Sequence, residues 1–524
     1  MLVDYAVRTQ CGVQCSVGWV KVRTKSAIMS SVPLKGIPET FAGADVFITG
    51  GSGFMGKVLI EKLIRSCPDV GQVFVLVRPR RGKSPEERIA ELVKVPLFDK
   101  VREMHPENIQ KIVPICGDCS ELKLGLDEES LKRMENVQFV FHAAASVRFD
   151  DPLEKAILLN TRGTREVIHW ATTLKSLKAV VHISTTYSNP EIFEIEERIY
   201  PAKMDWRKAI EMAENVDSEV FQTMSQKLTG FAPNTYTFTK GLAEQICNDY
   251  HKELPIVVFR PSVVTNTEEE PVHGWIDNFN GPVGLLVGMG IGLMRTGYVN
   301  LNNRINCIPA DVSIKAMIIA AWKKANEGPG QLTVINSAAE VHKTADYNFL
   351  IYDARYVYYK HPMSQVLWAP GGTHAPCKYV YYLLFFLYQV VPSMFLDMAL
   401  KARGKKPFLL KLQRKVFDAQ MSLKYFTDNE WVFKTDNFRN LAHDLLESDR
   451  ETFSIAYMCL GMQEYYRRCI LGGRRYLMRE SDDTIPAAKE KLKRLLMINK
   501  IAKGLFFALL AYILYKTVYV PYFA

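Results

Sequence analysis

From Ile37 to about Ile335 the chain alternates short apolar runs, turns and stretches with helical spacing. The apolar runs read Val46-Phe-Ile-Thr49, Val73-Phe-Val-Leu-Val77, Ile112-Val-Pro-Ile115, Val137-Gln-Phe-Val-Phe141, Ala179-Val-Val-His-Ile183 and Ile256-Val-Val-Phe259. Each is almost continuously hydrophobic, so each predicts a strand buried on both faces; such strands belong to a parallel sheet covered by helices. The expected fold class is α/β, a doubly wound parallel sheet.

Beyond about residue 345 the pattern changes to Tyr-, Phe- and Leu-rich stretches with helical spacing, which predicts a mostly helical C-terminal domain. Within it, Tyr379 to Leu396 carries no charge, but Gln389 and Pro392 interrupt it. A buried helix or the wall of an apolar cavity weighs evenly here against membrane insertion. The last apolar run, Gly504 to Ala524, is about 21 residues long, enough to cross a hydrocarbon core, and its single Lys516 lies where it can snorkel. The expected organisation is an N-terminal extension over 1–36, a sheet domain over 37–345, the helical domain over 346–480, a basic linker over 481–503 and a transmembrane anchor over 504–524.

Composition is that of a globular chain, with 48% hydrophobic, 23% charged and 11% aromatic residues. The net charge of +10 raises nucleic acid as a partner, but the cations are scattered and form no aromatic-interleaved stripe, so no nucleic-acid binding is expected. Part of the excess precedes the last apolar run, at Lys489, Lys491, Lys493, Arg494, Lys500 and Lys503, where membrane lipid headgroups are the better match. That placement puts the upstream residues on the cytosolic side of a tail anchor. Ten cysteines without framework spacing indicate reduced thiols; Cys116 and Cys119 form a CxxC with no second pair and are expected to be bystanders. No metal-ligand spacing is present.

The first strand runs into Gly50, Gly51, Ser52, Gly53, Phe54, Met55 and Gly56, followed by a helical stretch. Between strand and helix, glycines at this spacing make a tight turn, let backbone approach a pyrophosphate and let helix pack on strand, the mark of a dinucleotide site. The second strand ends at Arg78, 22 residues beyond Gly56, where an NAD site would carry an acid. A guanidinium there can clasp a 2'-phosphate, so NADPH is the expected cofactor. Asp118, after the third strand, can accept from the adenine amino group. Ala143 and Ala144, after the fourth, let backbone pass close to the ribose and nicotinamide. Tyr236 and Lys240, at i and i+4, fall on one helix face, where an ammonium is expected to stabilise the phenolate and lower the phenol's pKa. The fifth strand ends in three neighbouring hydroxyls, Ser184, Thr185 and Thr186, with Thr185 the first choice for the oxyanion donor.

These segments resemble the extended short-chain dehydrogenase/reductase superfamily. Within it, Ile37-Pro-Glu-Thr-Phe-Ala-Gly43, Val77-Arg78-Pro79, Ala143-Ala-Ala-Ser-Val-Arg148-Phe149, Asn160-Thr-Arg-Gly-Thr164, His182-Ile-Ser-Thr-Thr-Tyr187, Arg260-Pro-Ser262, Gly274-Trp275-Ile-Asp277-Asn278 and Ile308-Pro-Ala-Asp311 resemble the alcohol-forming fatty acyl-CoA reductases. Trp368, Gly371, Pro392 and Gly404-Lys-Lys-Pro407 extend the likeness to the C-terminal region. The resemblance implies a Rossmann fold and an oxidoreductase that reduces long-chain fatty acyl-CoA to a primary alcohol. Hydride comes from NADPH, Tyr236 and Thr185 serve at the carbonyl, and Lys240 serves the tyrosine and the nicotinamide ribose. Lys401, Arg403, Lys405 and Lys406 could meet coenzyme A phosphates, although a solvated charged turn is the plainer reading. The alternatives are another membrane-bound reductase acting on a sterol or nucleotide sugar, and a non-catalytic lipid-binding scaffold. Endoplasmic reticulum is the first expected location and peroxisome the second; oligomeric state is open, with a homodimer as one arrangement.

Overall fold

The computed structural model describes residues 35–78, 82–230 and 232–519. Of the expected N-terminal extension, 1–34 lie outside the described residues, as do 520–524 of the expected anchor. Seven parallel strands form the central sheet: β1 (Asp45–Thr49), β2 (Val73–Val77), β3 (Ile112–Cys116), β4 (Val137–His142), β5 (Ala179–Ile183), β6 (Ile256–Pro261) and β7 (Thr333–Ser337). Their order is β7-β6-β5-β4-β1-β2-β3, so the direction of winding reverses between β1 and β4. A crevice opens there, beyond the carboxyl ends of the strands, as in other open α/β sheets. The first six are the strands expected from the apolar runs. The seventh, Thr-Val-Ile-Asn-Ser, is half polar and was not singled out; Asn336 and Ser337 are buried because they bond to loop carbonyls and to Ser313.

Phe47, Phe74, Val140, Val180 and Val258 sit in a core with Trp170, Leu242 and Ile246. Nine helices carry the argument below. Four belong to the sheet region: α1 (Phe54–Ser66), α2 (Thr235–Tyr250), α3 (Gly281–Gly290) and α4 (Ala310–Glu327). Five follow it: α5 (Tyr347–Lys360), α6 (Lys378–Ala402), α7 (Leu409–Asp428), α8 (Met462–Gly472) and α9 (Ile485–Leu514). α2 is capped by Asn234, whose side chain accepts from the Thr237 N–H at 2.9 Å. That fixes the start of the helix that carries Tyr236 and Lys240.

The helical region is laced into the sheet region. Val432–Phe433 pairs in parallel with Glu194–Ile195. The Asp449 carboxylate accepts from the Ile37 N–H at 2.8 Å, and the Tyr465 hydroxyl donates to the Asn266 carbonyl at 3.1 Å. α6 and α9 are long and apolar enough to cross a membrane. α9 runs unbroken from the basic stretch into the apolar one, and the described apolar side chains from Met497 onward are mostly exposed.

Candidate active site

The glycine loop is closed by contacts that allow no side chain. Gly50 has φ +73°, and a Cβ there would meet the Ala143 carbonyl carbon and the Ala144 nitrogen at 2.7 Å. A Cβ on Gly56 would lie 2.3 Å from the Gly50 oxygen. The β1 end is therefore pressed against the segment after β4, and the Ala144 N–H donates to Thr49 Oγ1 at 3.1 Å. Thr49 in turn bonds His142 Nδ1 at 2.8 Å, and His142 Nε2 bonds Thr164 at 3.0 Å. α1 begins at this loop with no side chain capping it, Ser52 and Gly53 are exposed at its crest, and Phe54 and Met55 are half-buried. Its first N–H groups are left for an anion, so a dinucleotide pyrophosphate fits.

A second segment crosses the same helix end. Trp275 stacks on Phe54 with centroids 5.4 Å apart, and Lys57 Nζ meets Asp277 at 2.5 Å. The role of Gly274 to Asn278 is not legible in the sequence, because only folding brings it to a loop more than two hundred residues away. At the far end of the crevice Arg78, half-exposed, has its Nε 3.2 Å from Asp118 Oδ1. The same Asp118 oxygen accepts from the Ser120 N–H and hydroxyl at 2.8 Å. The two residues assigned to opposite ends of an adenosine 2'-phosphate thus lie side by side. Between Arg78 and Asp118's neighbours, Cys116 is exposed, whereas burial pushes the Cys119 thiol up to about 12.

The three hydroxyls after β5 have different fates. Ser184 donates to Glu244 at 2.6 Å, and Glu244 is clasped by Arg260 at 2.8 and 2.6 Å in a buried ion pair. Ser184 is therefore spent on the frame. Thr185 Oγ1 accepts from the Tyr187 N–H at 3.2 Å, and its hydroxyl lies near enough to the Tyr236 phenol to favour the phenolate. Thr186 Oγ1 is buried with no partner among the described residues. Lys240 is buried under Tyr236 on α2 and donates to the Ile183 carbonyl at 2.6 Å. Burial draws its pKa down to about 8. The expected lowering of the phenol is reversed here: burial pushes Tyr236 up to about 12, opposed by Thr185. The ammonium is engaged by a backbone carbonyl, and desolvation of the phenolate sets the direction. Asn160, also missed, ties the site together. It accepts from the Ser146 N–H at 2.9 Å and donates to Thr239 at 3.0 Å, which joins the loop after β4 to α2.

Apolar groups continue from the tyrosine. Phe149 stacks against Tyr236 at 6.1 Å and packs on Phe426 of α7 at 5.4 Å. Phe426 meets Tyr187 at 5.3 Å. Leu423 and Thr427, on either side of Phe426 in α7, line an apolar cleft together with Leu285, Met289, Tyr298 and Leu350. Its lining has the character of a site for a hydrophobic ligand.

Profiles of a family described as Male sterility protein match residues 48–317 and 388–480. Fatty acyl-CoA reductase wat of Drosophila melanogaster is 35% identical over 90% of this chain and 91% of its own length, and fatty acyl-CoA reductase 1 of Homo sapiens is 34% identical over 88% and 89%. The chain belongs to the fatty acyl-CoA reductase family. Among solved structures, the terminal R domain of the myxalamid biosynthetic pathway shares the fold at a TM-score of 0.55 and 17% identity, covering 82% of this reductase and 90% of that chain. The reductase domain of a non-ribosomal peptide synthetase from Mycobacterium tuberculosis does so at 0.55 and 18%, covering 84% and 93%. The family model over residues 48–317 is one for a nicotinamide-binding domain, so the chain uses a nicotinamide cofactor, and the resemblance seen in the sequence is borne out.

Proposed function

We propose that this chain reduces long-chain fatty acyl-CoA to primary fatty alcohol with NADPH, through an aldehyde that stays bound, and releases coenzyme A. The observation that carries the reading is the phenol of Tyr236, with Lys240 buried beneath it and Thr185 beside it, at the head of an apolar path that runs through Phe149 and Phe426 toward a lined cleft. Nicotinamide, when bound, supplies one hydride in each stage, so two NADPH are consumed per alcohol formed. Thr185 and Tyr236 donate to the carbonyl oxygen and stabilise the charge that develops on it. Collapse of the thiohemiacetal expels the thiolate, and Tyr236 gives the second-stage alcohol its proton. A phenol held near 12 is a weak acid at rest, well matched to an alkoxide that is more basic still. Lys240 would exchange its Ile183 carbonyl for the nicotinamide ribose. Arg78 would leave Asp118 to meet the 2'-phosphate, which favours NADPH over NADH. α9 would hold the enzyme to a membrane as a tail anchor with the reductase domain in the cytosol.

The test is lipid analysis of membranes that contain the chain or its Tyr236→Phe variant, supplied with C16 to C26 acyl-CoAs and NADPH. Alcohol from the unsubstituted chain alone is expected. No alcohol from either, with folded protein and bound NADPH, would move the reading to a sterol or sugar substrate. Arg78→Ala should raise KM for NADPH by roughly tenfold or more and leave that for NADH nearly unchanged, since one charge-assisted bond is removed from the phosphate alone.

A further inference from the structure

In α6 the usual polarity of a surface helix is inverted. The residues facing the protein recur every four positions, at Tyr381, Phe385, Gln389, Ser393 and Asp397, and all five are buried. Three of them are polar, and two of those three serve neighbouring backbone. Gln389 Oε1 accepts from the Arg295 and Thr296 N–H groups at 2.5 and 2.9 Å, and its amide nitrogen donates to Gln413 at 3.2 Å. Asp397 accepts from the Phe408, Leu409 and Leu410 N–H groups at 3.0, 3.0 and 2.9 Å and so caps α7. The outward face carries Tyr379, Leu383, Phe386, Phe395, Leu396 and Met398, each 48 to 81% exposed. A helix in water turns its polar side out. This one turns its polar side chains into the protein, where Gln389 and Asp397 are hydrogen-bonded, and offers solvent a band of large apolar groups, which is the arrangement a hydrocarbon environment selects.

Charge at the end of the helix agrees. From Met398 to Phe417 there are seven cations, Lys401, Arg403, Lys405, Lys406, Lys411, Arg414 and Lys415, and no acid. None of the seven forms an ion pair among the described residues, and the turn from Lys401 to Phe408 is exposed throughout. An apolar band that ends in an unpaired basic turn matches the acyl and headgroup layers of an anionic bilayer. The helix also packs beside the cleft: Tyr381 stacks on the cleft residue Tyr298 at 5.1 Å, and α7 brings Gln420 and Leu423 to the lining. Its inner face rests on the protein from Tyr381 to Asp397, so it lies along the molecule and does not leave it to cross.

We infer that α6 is a membrane-docking face, with its outer side in the acyl layer of an anionic bilayer and the Lys401–Lys406 turn at the headgroups, which brings the apolar cleft to the lipid surface. Docking stands on the helix alone; that acyl chains enter the cleft there rests on the proposed function.

The test uses the full chain in phosphatidylcholine vesicles with phosphatidylserine, and photoactivatable benzoylphenylalanine placed at exposed positions 386, 395 and, as a control on the far domain, 104. Lipid adducts at 386 and 395 and none at 104 are expected. Adducts to a second copy of the chain, or none at 386 and 395, would overturn docking whatever the enzymatic activity. A fourfold variant, Lys401→Glu, Arg403→Glu, Lys405→Glu and Lys406→Glu, separates lipid phosphates from coenzyme A phosphates. Docking predicts lipid adducts and turnover on these vesicles reduced by about tenfold or more, with an unchanged KM for acyl-CoA in neutral detergent. A raised KM in detergent with undiminished adducts would assign the turn to the substrate and overturn its part in the docking. Intact adducts with no alcohol formed would sink the proposed function and leave the docking face standing.

Discussion

Ser184 and Thr185 are adjacent hydroxyls whose removal should have opposite signatures. Ser184 donates to a carboxylate that Arg260 also holds, in a place with no water to replace it. Ser184→Ala should cost roughly 1–3 kcal/mol of stability and leave turnover of the folded fraction nearly intact. Thr185→Ala should cost stability only through the loss of its bond from the Tyr187 N–H and lower kcat by about 10²–10³, because its hydroxyl is the one beside the phenol. Thermal unfolding and single-turnover kinetics on both variants would check this, and a stability loss for Thr185→Ala with no kinetic effect would reverse the assignment. The sequence could name this trio but not sort it: which hydroxyl meets Glu244 depends on where α2 lies against β5 and β6. Likewise the spacing of Tyr236 and Lys240 was legible from one helix turn, while the partner that Lys240 chooses was not, since Ile183 offers it a backbone carbonyl and no side-chain signal.

The strands were readable because a run buried on both faces needs apolar residues at nearly every position, and β7 was missed because its polar residues are paid off by loop carbonyls. α6 was ambiguous for a related reason: a periodic pattern shows that a helix has two sides but not which side meets the protein. Two neighbouring strands, β4 and β5, also carry a testable cost. His142 and His182 lie in register with rings 5.4 Å apart, and burial draws His142 down to about 3 and His182 well below its ordinary value. Their folded pKa values lie below the unfolded value of about 6.5, so below that pH the unfolded chain binds more protons. The stability is therefore complete above about 6.5 and is lost as pH falls toward 3, by up to about 1.4 kcal/mol per unit for each ring. Urea unfolding in detergent at pH 7.5 and 5.5 should show this loss, and His142→Gln should show a smaller one. An identical slope in both would exclude His142 as its source.

On the scale of the whole molecule, the sheet region and the helical region are not two beads on a string. The backbone just before β1 is bonded to Asp449, the loop after β6 to Tyr465, and the strand pair at Glu194–Ile195 to Val432–Phe433. Asp449→Ala should therefore lower the unfolding free energy by roughly 1–3 kcal/mol in a single transition that removes NADPH binding and the helical signal together. Two separated transitions would show that the regions fold independently. The chain's modular hydrophobic pattern gave no hint of this, because a hydrogen bond between positions 412 residues apart leaves no mark on local periodicity. That single bond also imposes an order of events on synthesis. The Ile37 N–H, buried in the finished protein, leaves the ribosome long before the carboxylate that receives it exists. It must wait in a nascent chain with its acceptor unmade, so a message that stops short of codon 449 is expected to yield a chain in which that donor has lost its partner.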